Sequence, residues 1–333
     1  MRKINGVPVE AHTDLSNLTG GEVLKWDSTN TLMAWEDQDS TGFVPYHMHS
    51  ATNYGYTKGG QAGSDVNIID KVSYASDGNA TDVGDMTRTN HSPTGQSSTT
   101  HGYTTGGHVV NNIDKHLFSS DGNATDVGNL TVSRSKSGGQ SSLDYGYTTG
   151  GDVGGSWNDV IDKFSFSSDG NASDVGNMTM TRYALAGQSS TTHGYTTGGN
   201  TSSGVRDVID KFSFSSDGNA TDVGDMTVAR RGSAGHSSTN YGYASGGETG
   251  TDVIDKFSFS SDANSTDVGN LTSGRFTLTG TASTDSIYVS GGHNGSAYVN
   301  IIEKASISSD GNATDVGDLT VSRYLTSTSG SQY

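Results

Sequence analysis

The chain has 333 residues and no cysteine, which excludes disulfides, thiolate metal sites and catalytic thiols and leaves the redox compartment open. Its three prolines all lie outside the core of the repeated units described below. Positive charge is short, with 19 Lys and Arg against 36 Asp and Glu, a formal charge of −17. A partner read through its phosphate backbone needs a basic surface, so no nucleic-acid partner is expected. Apolar residues make up only 30% of the chain. No apolar run approaches a bilayer span, and Met1-Arg-Lys-Ile-Asn-Gly lacks the apolar core of a secretory leader. Neither membrane insertion nor export is expected.

With charged residues at 17%, such a composition in random order would read as disorder. The order is not random. The word His193-Gly-Tyr-Thr-Thr-Gly-Gly199 recurs with small changes, and the first glycine of its terminal pair falls at 59, 106, 150, 198, 246 and 291. Each copy is followed by Ile-Asp-Lys or a variant, then by Ser-Asp-Gly-Asn-Ala-Thr-Asp-Val-Gly or a variant. A fixed period of this length marks a repeat architecture whose units stack to bury a shared core.

The best-preserved unit parses into four strands. The first lies near Leu185-Ala-Gly-Gln-Ser-Ser190, and the second is His193-Gly-Tyr-Thr-Thr197, stopped by Gly198-Gly199. The third is Val208-Ile-Asp-Lys-Phe-Ser-Phe214, rich in β-branched and aromatic residues. Ser216-Asp-Gly-Asn219 suits a tight turn, and Ala220-Thr-Asp-Val-Gly-Asp-Met-Thr227 is the fourth strand. The expected fold is therefore all-β, a six-bladed β-propeller over residues 43–333, preceded by a short segment over 1–42. The units run over about 43–90, 91–134, 135–182, 183–230, 231–275 and 276–323, with a last strand in 324–333. A parallel β-helix competes, but it needs no hairpin turn in every repeat. Ser50-Ala-Thr-Asn-Tyr-Gly-Tyr56 aligns with Ser238-Thr-Asn-Tyr-Gly-Tyr243, and this favours closing the ring from the N-terminal side. Arg323-Tyr-Leu-Thr-Ser327 is the other candidate.

In the leading segment, alternation around Val23, Leu24 and Trp26, with Asp27-Ser-Thr-Asn30 as the turn, predicts a small hairpin; Trp35 lies just beyond. Too small to bury its own aromatics, it is expected to pack on something else. This stretch resembles the G-x-V-L-x-W-D segments that join attachment and receptor-binding domains in bacteriophage tail fibres. The order of words in all six units resembles the kelch family, except that Asp or Val stands where kelch repeats carry a tryptophan on the fourth strand, as in Thr221-Asp-Val-Gly224. The phrases GQSSTTHGYTTGG and IDKFSFSSDGNATDVG look like repeat proteins of marine bacteriophages, particularly those infecting cyanobacteria. These resemblances imply a virion protein of tail-fibre or capsid-fibre type. Residues 1–42 would bind other virion proteins through Val23, Leu24, Trp26 and Trp35, in several copies per particle, and the propeller would meet a host surface glycan or protein.

Several motifs invite chemistry and fall short of it. The turn aspartates Asp77, Asp121, Asp169, Asp217 and Asp310 lack the spaced glycine and later glutamate of a calcium loop, and the turn lacks the Trp of a sialidase Asp-box. A plain turn, with the Asp bonding its own backbone, is expected. Asn79, Asn123, Asn171, Asn219, Asn264 and Asn312 head glycosylation sequons without a secretory route. His47-Met-His49 offers two metal ligands and no visible third, and His101 and His193 alternate with tyrosines in other units, as packing positions do. Asp70, Asp114, Asp162, Asp210, Asp255 and Glu303 recur mid-strand, and Arg134, Arg182, Arg230, Arg275 and Arg323 recur after the fourth strand, with Asn90 in the first unit. A ring of ion pairs between strands or blades is expected. The galactose-oxidase cofactor needs a Cys–Tyr crosslink, which a chain without cysteine cannot form. No sialidase arginine triad, nucleophile triad or phosphate loop can be assembled. No cofactor, metal or enzymatic activity is expected.

Variation among the units concentrates between the second and third strands and in the connection from the fourth strand to the next unit. In up-and-down blades both connections emerge on one face. That face is expected to carry Trp157, Tyr183, Arg206, Arg231, His293 and Tyr298, residue types that suit a sugar ring or a protein loop.

Overall fold

The computed structural model describes residues 53–324 except 109 and 249, together with the backbone of five short strands, Lys3–Ile4, Val7–Pro8, Val23–Asp27, Leu32–Glu36 and Ser331–Gln332. The chain divides into two compact units, Met1–Tyr46 and His47–Tyr333. In the smaller unit Lys3–Ile4 pairs with Val7–Pro8, and Val23–Asp27 pairs antiparallel with Leu32–Glu36, Leu24 opposite Trp35. The expected hairpin is present. Its joining residues 28–31 and the side chains of Val23, Leu24, Trp26 and Trp35 lie outside the described residues, as do His47, Met48 and His49.

The larger unit contains six four-stranded antiparallel sheets and, among the described residues, no helix. It is a six-bladed β-propeller. Blade 4 shows the pattern, with Ala186–Ser189, His193–Thr197, Val208–Ser213 and Thr221–Asp225 neighbouring one another in chain order. The first strands are innermost. Gly139 lies against Gly95, Gly187 against Gly139, Gly235 against Gly187 and Gly280 against Gly235, too close for any Cβ. Small residues at this one position let strands from successive blades meet at the axis.

Between blades the repeated words interlock. The second-strand tyrosine stacks on the aromatic that follows the third strand of the next blade: Tyr103 on Phe166 at 4.8 Å, Tyr147 on Phe214 at 4.9 Å and Tyr195 on Phe259 at 4.9 Å. Around these stacks lie Ile161, Met178 and Leu185, or their equivalents, so each core is shared by two blades rather than enclosed in one. Toward the axis, Gln96, Gln140 and Gln188 donate from Nε2 to the carbonyls of Tyr147, Tyr195 and Tyr243 in the following blade, at 3.0, 2.9 and 3.0 Å. His236 takes that place in blade 5, with Nδ1 3.2 Å from the Thr281 carbonyl.

Closure differs from the sequence expectation. Blade 1 draws its innermost strand from the C terminus: Ser331 pairs with Tyr56 and Gln332 with Gly55, giving a sheet of Ser331–Gln332, Tyr54–Lys58, Ile68–Ser73 and Thr81–Asp85. The alignment that favoured the N-terminal side matched second-strand words (Asn53-Tyr-Gly-Tyr56), which form a second strand here too. A strand from the far end of the chain ties last blade to first and covers the inner edge of blade 1 at Gly55 and Tyr56.

Candidate functional site

The face that carries the variable loops rests on an invariant frame. At the end of each fourth strand a threonine reaches the mid-strand acid of the next blade. Thr131 donates from N and Oγ1 to Asp162 at 2.9 and 2.7 Å, Thr179 likewise to Asp210 at 3.1 and 2.7 Å, and Thr320 to Asp70 at 3.1 and 2.7 Å. Three residues on, the arginine adds an ion pair: Arg134–Asp162 at 2.8 Å, Arg182–Asp210 at 2.5 Å, Arg230–Asp255 at 3.0 Å, Arg323–Asp70 at 2.9 Å, and Arg275–Glu303. These guanidiniums have no solvent exposure; burial draws their pKa values down, and the paired carboxylates oppose it. The expected ring of pairs is therefore real, and it runs between blades. Where Asn90 replaces the arginine, its Nδ2 caps the Gly106 carbonyl at 2.7 Å. The cation there is Lys58, buried in the second strand of blade 1, 2.8 Å from the Tyr103 carbonyl and attracted by Asp114.

The Gly-Gly pair ends the second strand for a physical reason. Gly198 and Gly199 have φ of +64° and +99°, and a Cβ on Gly198 would sit 2.5 Å from the Arg230 carbonyl, to which Gly199 N donates at 3.0 Å. The next residue in each unit is free to vary, and it always meets the residue after the arginine of the preceding blade. Six cross-blade pairs result: His91 with His108, Ser135 with Asp152, Tyr183 with Asn200, Arg231 with Glu248, Phe276 with His293, and Tyr324 with Gln61. In all six the N of the residue after Gly-Gly donates to its partner's carbonyl at 2.8 to 3.0 Å, and four pairs add the reverse bond, as in Ser135 with Asp152 (3.0 Å), Tyr183 with Asn200 (3.2 Å) and Phe276 with His293 (3.1 Å). One backbone template thus holds out six unlike side-chain pairs.

Five of the six residues expected on this face fall into two clusters. Trp157 stacks on Tyr183 at 5.4 Å, and Arg231 donates from NH1 to the Tyr183 hydroxyl at 2.6 Å and from Nε to Glu248 at 2.5 Å. His293 packs edge-on against Tyr298 at 5.6 Å, with Phe276 and Tyr324 completing a group of four rings. Arg206 lies half-buried beside the short hairpin of Asn200–Thr201 and Gly204–Val205; its backbone bonds Gly199 and Arg230. Sequence reasoning did not single out Lys136, Glu248 or Tyr324. Reading the residues immediately after each arginine and each Gly-Gly as one series would have found Glu248 and Tyr324.

The opposite face repeats itself. In its turns the Asp does not bond its own backbone, as expected from sequence, but takes a lysine from the preceding blade: Lys71–Asp121, Lys115–Asp169, Lys163–Asp217, Lys211–Asp262, Lys256–Asp310 and Lys304–Asp77, at 2.5 to 3.0 Å. Self-bonding belongs to the next aspartate along, as in Asp222 with Gly224 N at 3.2 Å. The sequon asparagines are staples as well, Asn219 accepting from Asn177 N at 3.0 Å and Asn123 from Asp85 N at 3.0 Å. A shallow groove of about 460 Å³ on this side, lined by Leu143, Tyr145, His193 and Phe214, is made largely of residue types that recur in other blades. Among the described residues no three His, Asp or Glu side chains gather to hold a metal ion.

Fold and face together define a six-bladed β-propeller with one constant and one variable side. In comparison with known proteins, the chain matches no family model and no curated sequence.

Proposed function

We propose that the chain is a bacteriophage virion protein, of tail-fibre or capsid-fibre type, that displays its propeller for non-enzymatic recognition of a host surface. The observation that carries this reading is the set of six cross-blade pairs, unlike in side chain on a common backbone. A wall that only had to pack would keep one pair six times, as the tyrosine stacks and lysine–aspartate pairs nearly do. Recognition residues concentrate where a rigid frame presents variable loops. The kelch-like order of words and the likeness of the phrases to marine phage repeats support a particle component. The G-x-V-L-x-W-D stretch supports attachment to other virion proteins through residues 1–42. Copies side by side on one particle would add weak contacts into firm binding. The mid-strand acids are spent on arginines and threonines inside the wall, which disfavours hydrolysis by them.

The test incubates purified protein with envelope glycans from cyanobacteria. Binding without cleavage is expected, with loss of binding in a folded Trp157→Ala, Tyr298→Ala variant. Release of oligosaccharides would replace this reading with a hydrolase; absence of binding to envelopes would leave a purely structural part.

A further inference from the structure

Among the described residues, the variable face holds two partly exposed cations without an ion-pair partner. Among the described residues, the lysines of the third strands each pair with a turn aspartate, the wall arginines with mid-strand acids, Arg231 with Glu248, and Arg88 with Asp126 at 3.7 Å. Lys58 is buried in the wall. Among the partly exposed cations of the described residues, Lys136 and Arg206 are those with no carboxylate within ion-pair distance, in a chain whose net charge is −17. Lys136 lies over the Tyr183 ring of the Trp157–Tyr183 stack, and the Arg206 backbone bonds Gly199, the neighbour of the Asn200 that pairs with Tyr183.

Their placement is built rather than loose. Lys136 has φ of +56°, a left-handed conformation that a lysine rarely adopts. A chain of backbone bonds around the axis holds it there: Lys136 N donates to the Ser92 carbonyl at 3.0 Å, Ala184 N to Lys136 at 2.7 Å, Gly232 N to Ala184 at 2.8 Å and Thr277 N to Gly232 at 2.6 Å. Its Nζ lies 5.4 Å from the centre of the Tyr183 ring. The Arg206 backbone is fixed on both sides, its N donating to the Gly199 carbonyl at 2.8 Å and its carbonyl accepting from Arg230 N at 3.1 Å. Two of the nearby acids are engaged elsewhere, Asp152 accepting from Gly155 N at 2.8 Å and Glu248 holding Arg231, and Asp207 makes no ion pair among the described residues.

We infer that this part of the face is a subsite for an anionic glycan. The carboxylates or sulfates of an acidic glycan would meet Lys136 and Arg206, and one of its pyranose rings would lie on Trp157. An aromatic surface gives contact with the apolar face of a sugar and takes neutral and acidic sugars alike. Two unpaired cations in an otherwise acidic molecule select the acidic one, because they gain a charge-assisted partner that the protein itself does not supply. The inference rests on the host-recognition reading and names the class of its ligand.

The experiment measures binding of the full chain to three probes, oligogalacturonate (carboxylated), a heparin-derived hexasaccharide (sulfated as well) and neutral maltohexaose, at low and at physiological salt. Expected are binding of one or both acidic probes, weakened by salt, and none of maltohexaose. Lys136→Gln with Arg206→Gln should cost about tenfold or more in Kd at unchanged thermal midpoint, and Lys136→Asn, which tolerates the left-handed backbone, guards against a folding defect. Which acidic probe binds separates carboxylate from sulfate recognition. Equal binding of maltohexaose, or acidic binding unaffected by the double substitution, overturns the inference while host recognition stands. If no probe binds and cyanobacterial envelopes do not bind either, both fall.

Discussion

At the scale of the residue, two kinds of ion pair in this propeller differ in weight. Asp162 and Arg134 are buried as a pair and Asp162 also accepts from Thr131, whereas Lys163 and Asp217 sit at the rim with the aspartate 56% exposed. Asp162→Ala leaves a buried guanidinium without a counter-charge and should cost roughly 3–5 kcal/mol; Lys163→Ala should cost less than about 1 kcal/mol. Denaturant midpoints of the two variants check this, and an unchanged midpoint for Asp162→Ala would remove the arginine ring from the account. His236 supplies a pH signature. Burial pushes its pKa down to about 4, below the value near 6.5 of an exposed histidine. The unfolded chain therefore takes up a proton between those values that the folded one refuses, and stability falls as pH drops through that window, by about 3 kcal/mol once both forms are protonated. His236→Gln, which installs the residue of blades 2 to 4, should flatten part of that decline while leaving neutral-pH stability nearly unchanged. Buried His116 has the same sign and keeps the remainder. Thermal midpoints across pH 4 to 7 decide it.

At the scale of the element, the repeated words were legible because each does one local job six times. The second strand His193–Thr197 has the extent read from its sequence, and the third and fourth strands lie within the stretches read for them. Glycine shows where local reading is enough and where it is not. Gly199 has φ of +99°, and a Cβ there would stand 2.6 Å from the Leu185 side chain and 3.0 Å from the Tyr183 carbonyl. Gly218, in the turn, has open space around it, and Ala263 already occupies the equivalent position in blade 5. Gly199→Ala should therefore cost about 2 kcal/mol or more, and Gly218→Ala close to nothing, as calorimetry of the pair would show. The turn aspartates were misread because their partners, the lysines, belong to the neighbouring blade. The Lys136 position was missed because its left-handed backbone is imposed by bonds running around the axis, which no single unit contains. The six variable-face residues were legible as types and places; their grouping into a Trp157–Tyr183–Arg231 cluster and a His293–Tyr298 cluster comes from blade order.

At the scale of the whole molecule, stability lies between blades, so closure matters more than any one sheet. The tie between Ser331–Gln332 and Tyr54–Lys58 joins the two ends of the chain in one sheet, beside the single bridge of Gln61 and Tyr324. Ending the chain after residue 324 should expose the inner edge of blade 1, lower the unfolding midpoint and promote association through that edge. Light scattering and calorimetry of the shortened chain would show both, and a monomer of unchanged midpoint would show that closure is not needed. The constant side of the wheel repeats its staples, while the other side spends its sequence diversity on one ring of pairs and the loops above it. Hydrogen–deuterium exchange of the full chain with and without cyanobacterial envelope glycans tests that division most directly. Slowed exchange is predicted in the peptides around 152–158, 183–184, 200–206, 248–252 and 293–298. Slowed exchange confined to the Ser-Asp-Gly-Asn turns of the opposite face would contradict it.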